Sequence, residues 1–179
     1  MPNAPTAIMP TYGRLPVTFA RGEGAILYDS ADRAYLDGVS GIAVTNLGHN
    51  HPRVTAAVTE QVARLVHTSN LFHIGLQEEA AELLRHATGM ENMFFCNSGA
   101  EANENALKLA SFHTNKASII AFENSFHGRT SAAVASTDNT NIIAPLNAQQ
   151  KVDFHPLGDL EAVENTLKKG ETCAVIIEC

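Results

Sequence analysis

Residues 95–104, FCNSGAEANE, place a turn of small residues between a predicted strand at 93–96 and a predicted helix at 100–113. The first N–H groups of a helix have no acceptor within the helix, and the helix dipole makes that end positive. The turn therefore presents backbone N–H groups that suit a phosphate. Ser98 and Glu101 also fit the S-x-x-E capping box, so on spacing alone an ordinary helix start explains the turn more simply.

A second motif, SFHGRT at residues 125–130, follows the next predicted strand at 118–122. The ring of Phe126 suits stacking on a planar heteroaromatic ring, and the forked guanidinium of Arg129 suits a carboxylate. Taken singly, a Phe is more often a core residue and an Arg a surface residue. The order of the two motifs, strand–turn–helix and then strand–Phe-x-x-Arg, indicates a phosphorylated aromatic cofactor and an acidic substrate.

Strands and helices alternate along the second half of the chain. Further strands are predicted at 152–154 and 173–177, and further helices at 129–135 and 159–169. This alternation predicts an α/β fold, a three-layer α/β/α arrangement around a mostly parallel sheet. We expect the domain to be incomplete, because the chain ends on its last predicted strand without a helix to cover it.

The first half of the chain has a different pattern. An extended arm is predicted over 1–24, and a β-hairpin with strands at 25–28 and 34–36 follows it. Helical spacing of apolar residues then predicts helices at 52–67 and 77–87.

The composition excludes several classes of function. The chain has 12 Lys+Arg and 19 Asp+Glu, a net charge of −7, and no basic run, which argues against nucleic acid or an anionic membrane as a partner. No apolar run approaches bilayer length, and the first 19 residues lack the apolar core of a secretory signal. Three widely spaced cysteines do not form a disulfide framework. We expect a cytoplasmic protein without a metal site.

Both motifs resemble those of the class III pyridoxal-phosphate aminotransferases. The resemblance extends upstream through GEG at 22–24, YLD at 35–37, SGIAV at 40–44, LGHNHP at 47–52 and HTSNLF at 67–72. Within the family, the sequence is most similar to the enzymes that act on N-acetylornithine. The resemblance implies a homodimeric enzyme of arginine biosynthesis that uses pyridoxal 5'-phosphate to transfer an amino group from N-acetylornithine to 2-oxoglutarate.

The resemblance also implies roles for individual residues. Gly99 and Ala100 would bind the cofactor phosphate with Ser98 beside them, Phe126 would stack on the pyridine ring, and Arg129 would bind the substrate α-carboxylate with help from Tyr12. The cofactor-binding residues are thus expected to be Ser98, Gly99, Ala100, Phe126, His127 and Glu178, and the substrate-binding residues Arg129 and Tyr12. Residues 1–48 would form the arm and hairpin, part of a small domain, and 49–179 the first part of the large cofactor-binding domain.

Members of the family run to more than twice 179 residues, and their Schiff-base Lys and the Asp that pairs with the pyridinium nitrogen would lie beyond residue 179. No catalytic residue is therefore assigned, and a polypeptide of residues 1–179 alone is expected to be inactive. Two alternatives stay open. The enzyme could use succinylornithine, ornithine or 4-aminobutyrate, or the chain could be non-catalytic and pair with a full-length partner. Ile42, where the ornithine enzymes that resemble this chain carry a Tyr, favours the acetylated substrate.

Overall fold

The computed structural model describes residues 7–179, which form two compact units, one ending at Gly75 and the other spanning Leu76–Cys179. The first unit contains an antiparallel sheet of three strands in the order β1-β2-β3. These strands are β1 (Phe19–Glu23), β2 (Ile26–Asp29) and β3 (Ala34–Leu36). The predicted hairpin is β2 and β3. The expected division at residues 48 and 49 stays a prediction.

Strand β1 lies within the residues that the sequence predicted as an extended arm, so that prediction is wrong over Phe19–Glu23. Two side-chain contacts accompany its pairing with β2. The Phe19 ring packs edge to face on Tyr35, with centroids 5.4 Å apart, and the Arg21 guanidinium lies 3.4 Å from the centre of the Tyr28 ring. These partners are distant in sequence, and local periodicity therefore did not indicate the strand.

Asp29 organises the loop between β2 and β3. Its carboxylate accepts hydrogen bonds from the backbone N–H groups of Ala31 and Arg33, from Arg33 Nε at 2.7 Å and from the Tyr35 hydroxyl at 3.1 Å. Burial opposes ionisation of this carboxylate, but the hydrogen bonds outweigh burial and lower the pKa of Asp29 to about 2. The loop is therefore built around a carboxylate that stays ionised.

Two helices follow in the first unit, α1 (Ser40–Ala43) and α2 (Pro52–Arg64). Between them, His49 Nε2 lies 2.7 Å from a carboxylate oxygen of Asp37, and this hydrogen bond contributes most to lowering the pKa of Asp37. The predicted helix at 52–67 ends early, because Leu65 is extended, with φ −163° and ψ 121°.

The second unit has a parallel sheet with helices between its strands. Its elements are α3 (Gly75–Thr88), which begins one residue before the boundary, α4 (Gly99–Thr114), β4 (Ser118–Phe122), α5 (Ser131–Ala135), β5 (Val152–His155), α6 (Leu160–Leu167) and β6 (Thr172–Val175), with a short 3₁₀ turn at Thr140–Ile142. The strand order is β5-β4-β6, and both neighbours pair parallel to β4. All five residues of β4 are buried, and this central strand forms the core together with Leu107 of α4 and residues 133–135 of α5. The predicted α/β fold with a parallel sheet is confirmed.

One predicted strand does not form. Residues 93–96 adopt no regular strand and pair with no strand in the part of the chain that the structure describes. A strand needs a neighbour for its backbone hydrogen bonds, so an apolar run alone does not produce one. Each helix within residues 7–179 falls short of the length and apolar character needed to cross a membrane.

Candidate functional site

The turn at residues 97–100 is the start of α4. Ser98 is the N-cap residue, with φ −155° and ψ 158°, and its Oγ accepts a hydrogen bond from the Glu101 N–H at 3.2 Å. The Glu101 carboxylate in turn accepts from the Asn97 N–H at 2.5 Å, one residue earlier than a capping box requires. The predicted cap is therefore half formed, and the Ser98 hydroxyl proton stays available to a further acceptor.

The turn is open on the side of Gly99. A Cβ built at Gly99 meets no atom within 4 Å. Gly99 and Ala100 are the first two residues of α4, so their N–H groups have no acceptor within the helix. This end of α4 is also the positive end of its dipole, which favours a bound anion. The predicted phosphate-binding residues thus have the required donors and the required space.

Gly128 lies against the first turn of α4. Its φ is +145°, and a Cβ built there would lie 2.9 Å from the Ala100 Cβ and 3.0 Å from the Ala133 Cβ. Only glycine fits both this backbone conformation and this close approach. The loop at residues 125–128 therefore packs directly on the residue that follows Gly99.

Hydrogen bonds also hold the same loop, from α4 and from Thr137. The Asn103 side chain, on α4, donates to the His127 carbonyl at 2.8 Å. The Thr137 hydroxyl accepts the His127 N–H at 2.9 Å and donates its one proton to the Ala133 carbonyl at 2.9 Å, with the Gly128 carbonyl further away at 3.3 Å. Thr137 is 2% exposed, so water does not compete for its bond with the His127 N–H. Asn103 and Thr137 were not predicted from the sequence.

Phe126 combines a fixed backbone with an open ring. Its N–H donates to the Glu178 carboxylate at 2.7 Å. Phe126 is nevertheless 51% exposed. An exposed ring on a fixed backbone is suited to stacking on a planar ligand.

His127 is buried beside this ring. It is 6% exposed, and its Nε2 atom has no hydrogen-bond partner among the described residues. Burial lowers the pKa of His127 below its ordinary value of 6.5, and the nearby charge of Glu178 partly opposes the shift. The imidazole is therefore neutral at pH 7.

Arg129 is exposed directly after the fixed loop. The next residue, Thr130, donates its hydroxyl proton to the Glu104 carboxylate at 3.0 Å. Tyr12 belongs to the first unit and is 63% exposed. The structure thus brings together the predicted residues of the second unit: Ser98, Gly99, Ala100, Phe126, His127, Arg129 and Glu178.

A separate cleft of about 960 Å³ runs along α4. Leu107, Lys108, Phe112, Ile119 and Cys173 are among its lining residues, and none of the predicted cofactor- or substrate-binding residues lines it. Within residues 7–179, no group of three His, Cys, Asp or Glu side chains is arranged to hold a metal ion.

Residues 7–179 match the family model described as aminotransferase class-III. The chain is 46% identical over 172 residues to an acetylornithine aminotransferase of Halalkalibacterium halodurans, an alignment that covers 96% of this chain and 44% of that protein. It is 43% identical over 173 residues to an acetylornithine aminotransferase of Methanosarcina mazei, with the same two coverages. The chain therefore spans less than half the length of the curated relatives it matches.

Solved structures of aminotransferases also superpose on this chain, and it again covers less than half of their length. The ornithine aminotransferase from Toxoplasma gondii ME49 superposes with a TM-score of 0.87 at 28% identity, covering 94% of this chain and 42% of that one. The N-acetylornithine aminotransferase from Stenotrophomonas maltophilia K279a superposes with a TM-score of 0.74 at 35% identity, covering 92% and 41%.

Proposed function

Because this chain belongs to the class III aminotransferases, we propose that it contributes the phosphate-binding turn and the carboxylate-binding loop of an enzyme that transfers an amino group from N-acetylornithine to 2-oxoglutarate. The family depends on pyridoxal phosphate, as the sequence predicted. The relatives named acetylornithine aminotransferase support this choice of amino donor and a role in arginine biosynthesis. The observation that carries the proposal is the contact of the loop at residues 125–128 with the first turn of α4.

The second unit fits the cofactor on three points. The start of α4 offers free N–H groups and open space at Gly99, the Phe126 ring is exposed on a fixed backbone, and the buried Nε2 of His127 lacks a partner within residues 7–179. Pyridoxal phosphate, when bound, supplies an electron sink that eases removal of a proton next to the substrate nitrogen. The residues described below hold and orient it.

Each predicted residue has a role in the proposal. The Ser98 hydroxyl and the N–H groups of Gly99 and Ala100 bind the phosphate, and Phe126 stacks on the pyridine ring. His127 packs beside the ring as a neutral imidazole, and Glu178 holds the Phe126 backbone. Arg129 binds the substrate α-carboxylate through its two-pronged fork, with Tyr12 assisting. The active enzyme is a cytoplasmic homodimer.

The phosphate site has a direct test. Replacing Gly99 with Ala adds a methyl group where the protein leaves open space. The thermal unfolding temperature of the variant should therefore stay within about 2 °C of that of the unsubstituted protein. The same methyl group should obstruct a phosphate that approaches the backbone, and affinity for pyridoxal phosphate in equilibrium dialysis should fall about tenfold. Gly75→Ala, at another open position that begins a helix, is the matched control. Unchanged cofactor affinity in Gly99→Ala would remove Gly99 from the site.

The amino donor is tested by comparing kcat/KM of the complete gene product for N-acetylornithine, succinylornithine, ornithine and 4-aminobutyrate, with 2-oxoglutarate as acceptor. We expect N-acetylornithine to be preferred over ornithine, in keeping with Ile42. Preference for another donor would contradict the proposed substrate but not the membership of the class III aminotransferases.

A polypeptide of residues 1–179, purified free of host enzyme, should show no turnover, because none of Lys108, Lys116, Lys151, Lys168 and Lys169 lies in the sequence context of the family's Schiff-base lysine. Measurable turnover by that polypeptide would contradict this expectation. If the chain instead acts as a non-catalytic partner, mixing it with a full-length class III enzyme should give mixed dimers in native mass spectrometry.

A further inference from the structure

One face of α4 contacts the chain on both sides of Arg129. Ala100, Asn103 and Glu104 are three and four positions apart and therefore share that face. Ala100 contacts Gly128, Asn103 donates to the His127 carbonyl, and Glu104 binds the residues that follow Arg129. Glu104 has no role in the function proposed above.

The Glu104 carboxylate acts as the cap of a helix other than its own. Its Oε1 accepts the Thr130 hydroxyl at 3.0 Å and the Ala133 N–H at 2.9 Å. Thr130 is the N-cap residue of α5 but makes no side-chain cap bond itself, and Ala133 is the third residue of α5. An ionised carboxylate that accepts a backbone N–H at the positive end of a helix makes a strong, charge-assisted bond.

Arg129 lies between two residues that α4 fixes. On one side, Gly128 packs against Ala100, and on the other, Thr130 is bound to Glu104. We propose that Glu104 is a positioning residue for Arg129, since it anchors the backbone from which the guanidinium reaches the substrate carboxylate. This inference rests on the proposed function, in which Arg129 binds that carboxylate. The same helix whose first turn binds the phosphate then sets the distance between phosphate and carboxylate.

Two substitutions separate hydrogen bonding from charge. Glu104→Gln keeps an oxygen that accepts both protons, whereas Glu104→Ala leaves the Ala133 N–H and the Thr130 hydroxyl without this acceptor. Glu161→Ala is the matched control, because Glu161 is an exposed glutamate in the first turn of α6.

The functional experiment compares two amino donors on the complete gene product with bound cofactor: N-acetylornithine, and N-acetyl-1,4-diaminobutane, which lacks only the α-carboxylate. In the proposed function, Arg129 contributes to the binding of N-acetylornithine alone, because only that donor has an α-carboxylate. Glu104→Ala should therefore lower the ratio of kcat/KM for N-acetylornithine to kcat/KM for N-acetyl-1,4-diaminobutane. The expected decrease is about 10- to 100-fold, the scale of a misplaced binding group. Glu104→Gln should restore most of the ratio, and cofactor affinity in equilibrium dialysis should not change.

A double-mutant cycle decides whether Glu104 acts through Arg129. In an Arg129→Ala background, Glu104→Ala should lower kcat/KM for N-acetylornithine no further, because the group that it positions is gone. Additive losses, or equal losses on both donors in the single variant, would overturn the inference and leave Glu104 as a residue of general structure.

A third measurement does not depend on activity. In the 179-residue chain, the Ala133 amide should be protected from hydrogen exchange, and Glu104→Ala but not Glu104→Gln or Glu161→Ala should remove the protection. An unprotected Ala133 amide in the parent chain would overturn the inference. Protection that depends on Glu104, together with no transamination of either donor by the complete gene product, would instead refute the proposed function.

Discussion

The Glu178 carboxylate accepts a hydrogen bond from the Phe126 backbone N–H at 2.7 Å, although the two residues are 52 positions apart. This bond joins the segment after β6 to the loop after β4, so the exposed Phe126 ring is held from the C-terminal side of the sheet strands. Loops at this end of parallel strands commonly form ligand sites in α/β folds.

Glu178→Ala should therefore weaken cofactor binding by releasing the Phe126 backbone. A hydrogen bond to a charged group contributes about 1.5–3 kcal/mol, so the dissociation constant of pyridoxal phosphate should rise by about 10-fold or more in equilibrium dialysis. Glu178→Gln keeps an acceptor oxygen and should cause a smaller loss. Equal losses in the two variants would show that the charge of Glu178, rather than its bond to Phe126, matters.

Gly128→Ala should destabilise the second unit. The added methyl group would lie 2.9 Å from the Ala100 Cβ, and the residue would keep a φ of +145°. Overpacking and backbone strain of this kind cost about 1–3 kcal/mol each, which chemical denaturation followed by circular dichroism will detect. Gly75→Ala, with open space and no positive φ, should leave the free energy of unfolding almost unchanged. Equal behaviour of the two variants would contradict the close contact between Gly128 and Ala100.

His127 makes stability depend on pH near neutrality. Burial lowers its pKa in the folded state, so its unfolded form binds a proton first as the pH falls. The contribution of His127 to the free energy of unfolding is fully present above about pH 6.5, the ordinary pKa of histidine. It is lost as the pH falls through the pKa of His127 in the folded state. His127→Gln should flatten the pH dependence of unfolding between pH 7 and 5, whereas His113→Gln, at an exposed position of α4, should not. A profile that His127→Gln leaves unchanged would argue against a buried neutral imidazole.

Asp29 stabilises the first unit at a lower pH range. The pKa of Asp29 is about 2 in the folded state, below the ordinary value of 3.8. Its contribution is therefore fully present above pH 3.8 and is lost as the pH falls toward 2. Asp29→Asn should lower the free energy of unfolding at pH 6 and reduce its fall between pH 4 and 2. Asp32→Asn, which removes the exposed partner of Arg21, should have a small effect, because surface ion pairs contribute little.

The sequence predicted the parallel unit because its signals are local. Residues 118–122 are an apolar run of strand length between polar segments, and β4 has those bounds in the structure. The prediction was wrong at 93–96 and at Phe19–Glu23 for one physical reason. Strand formation depends on a neighbour that lies elsewhere in the chain, which the local pattern does not contain.

In the site, too, contacts between residues close in sequence were predicted and contacts between distant residues were not. The Ser98 cap joins residues three positions apart, so a spacing rule predicted it. The bond of Asn103 to the His127 carbonyl and that of Glu104 to Ala133 join residues 24 and 29 positions apart. A glycine at position 128 is visible in the sequence, but its contact with Ala100 follows only from the packing of the loop on α4.

The positions of the loop's anchors also set an order of events during translation. Asn103 is made before the loop, Thr137 soon after it, and Glu178 last, 52 residues after Phe126. At about 5–20 residues per second, the ribosome adds Glu178 roughly 3 to 10 seconds after Phe126. The bond between Glu178 and the Phe126 N–H therefore forms only after residues 127–178 have been made, whereas Asn103 is already present when the loop is synthesised.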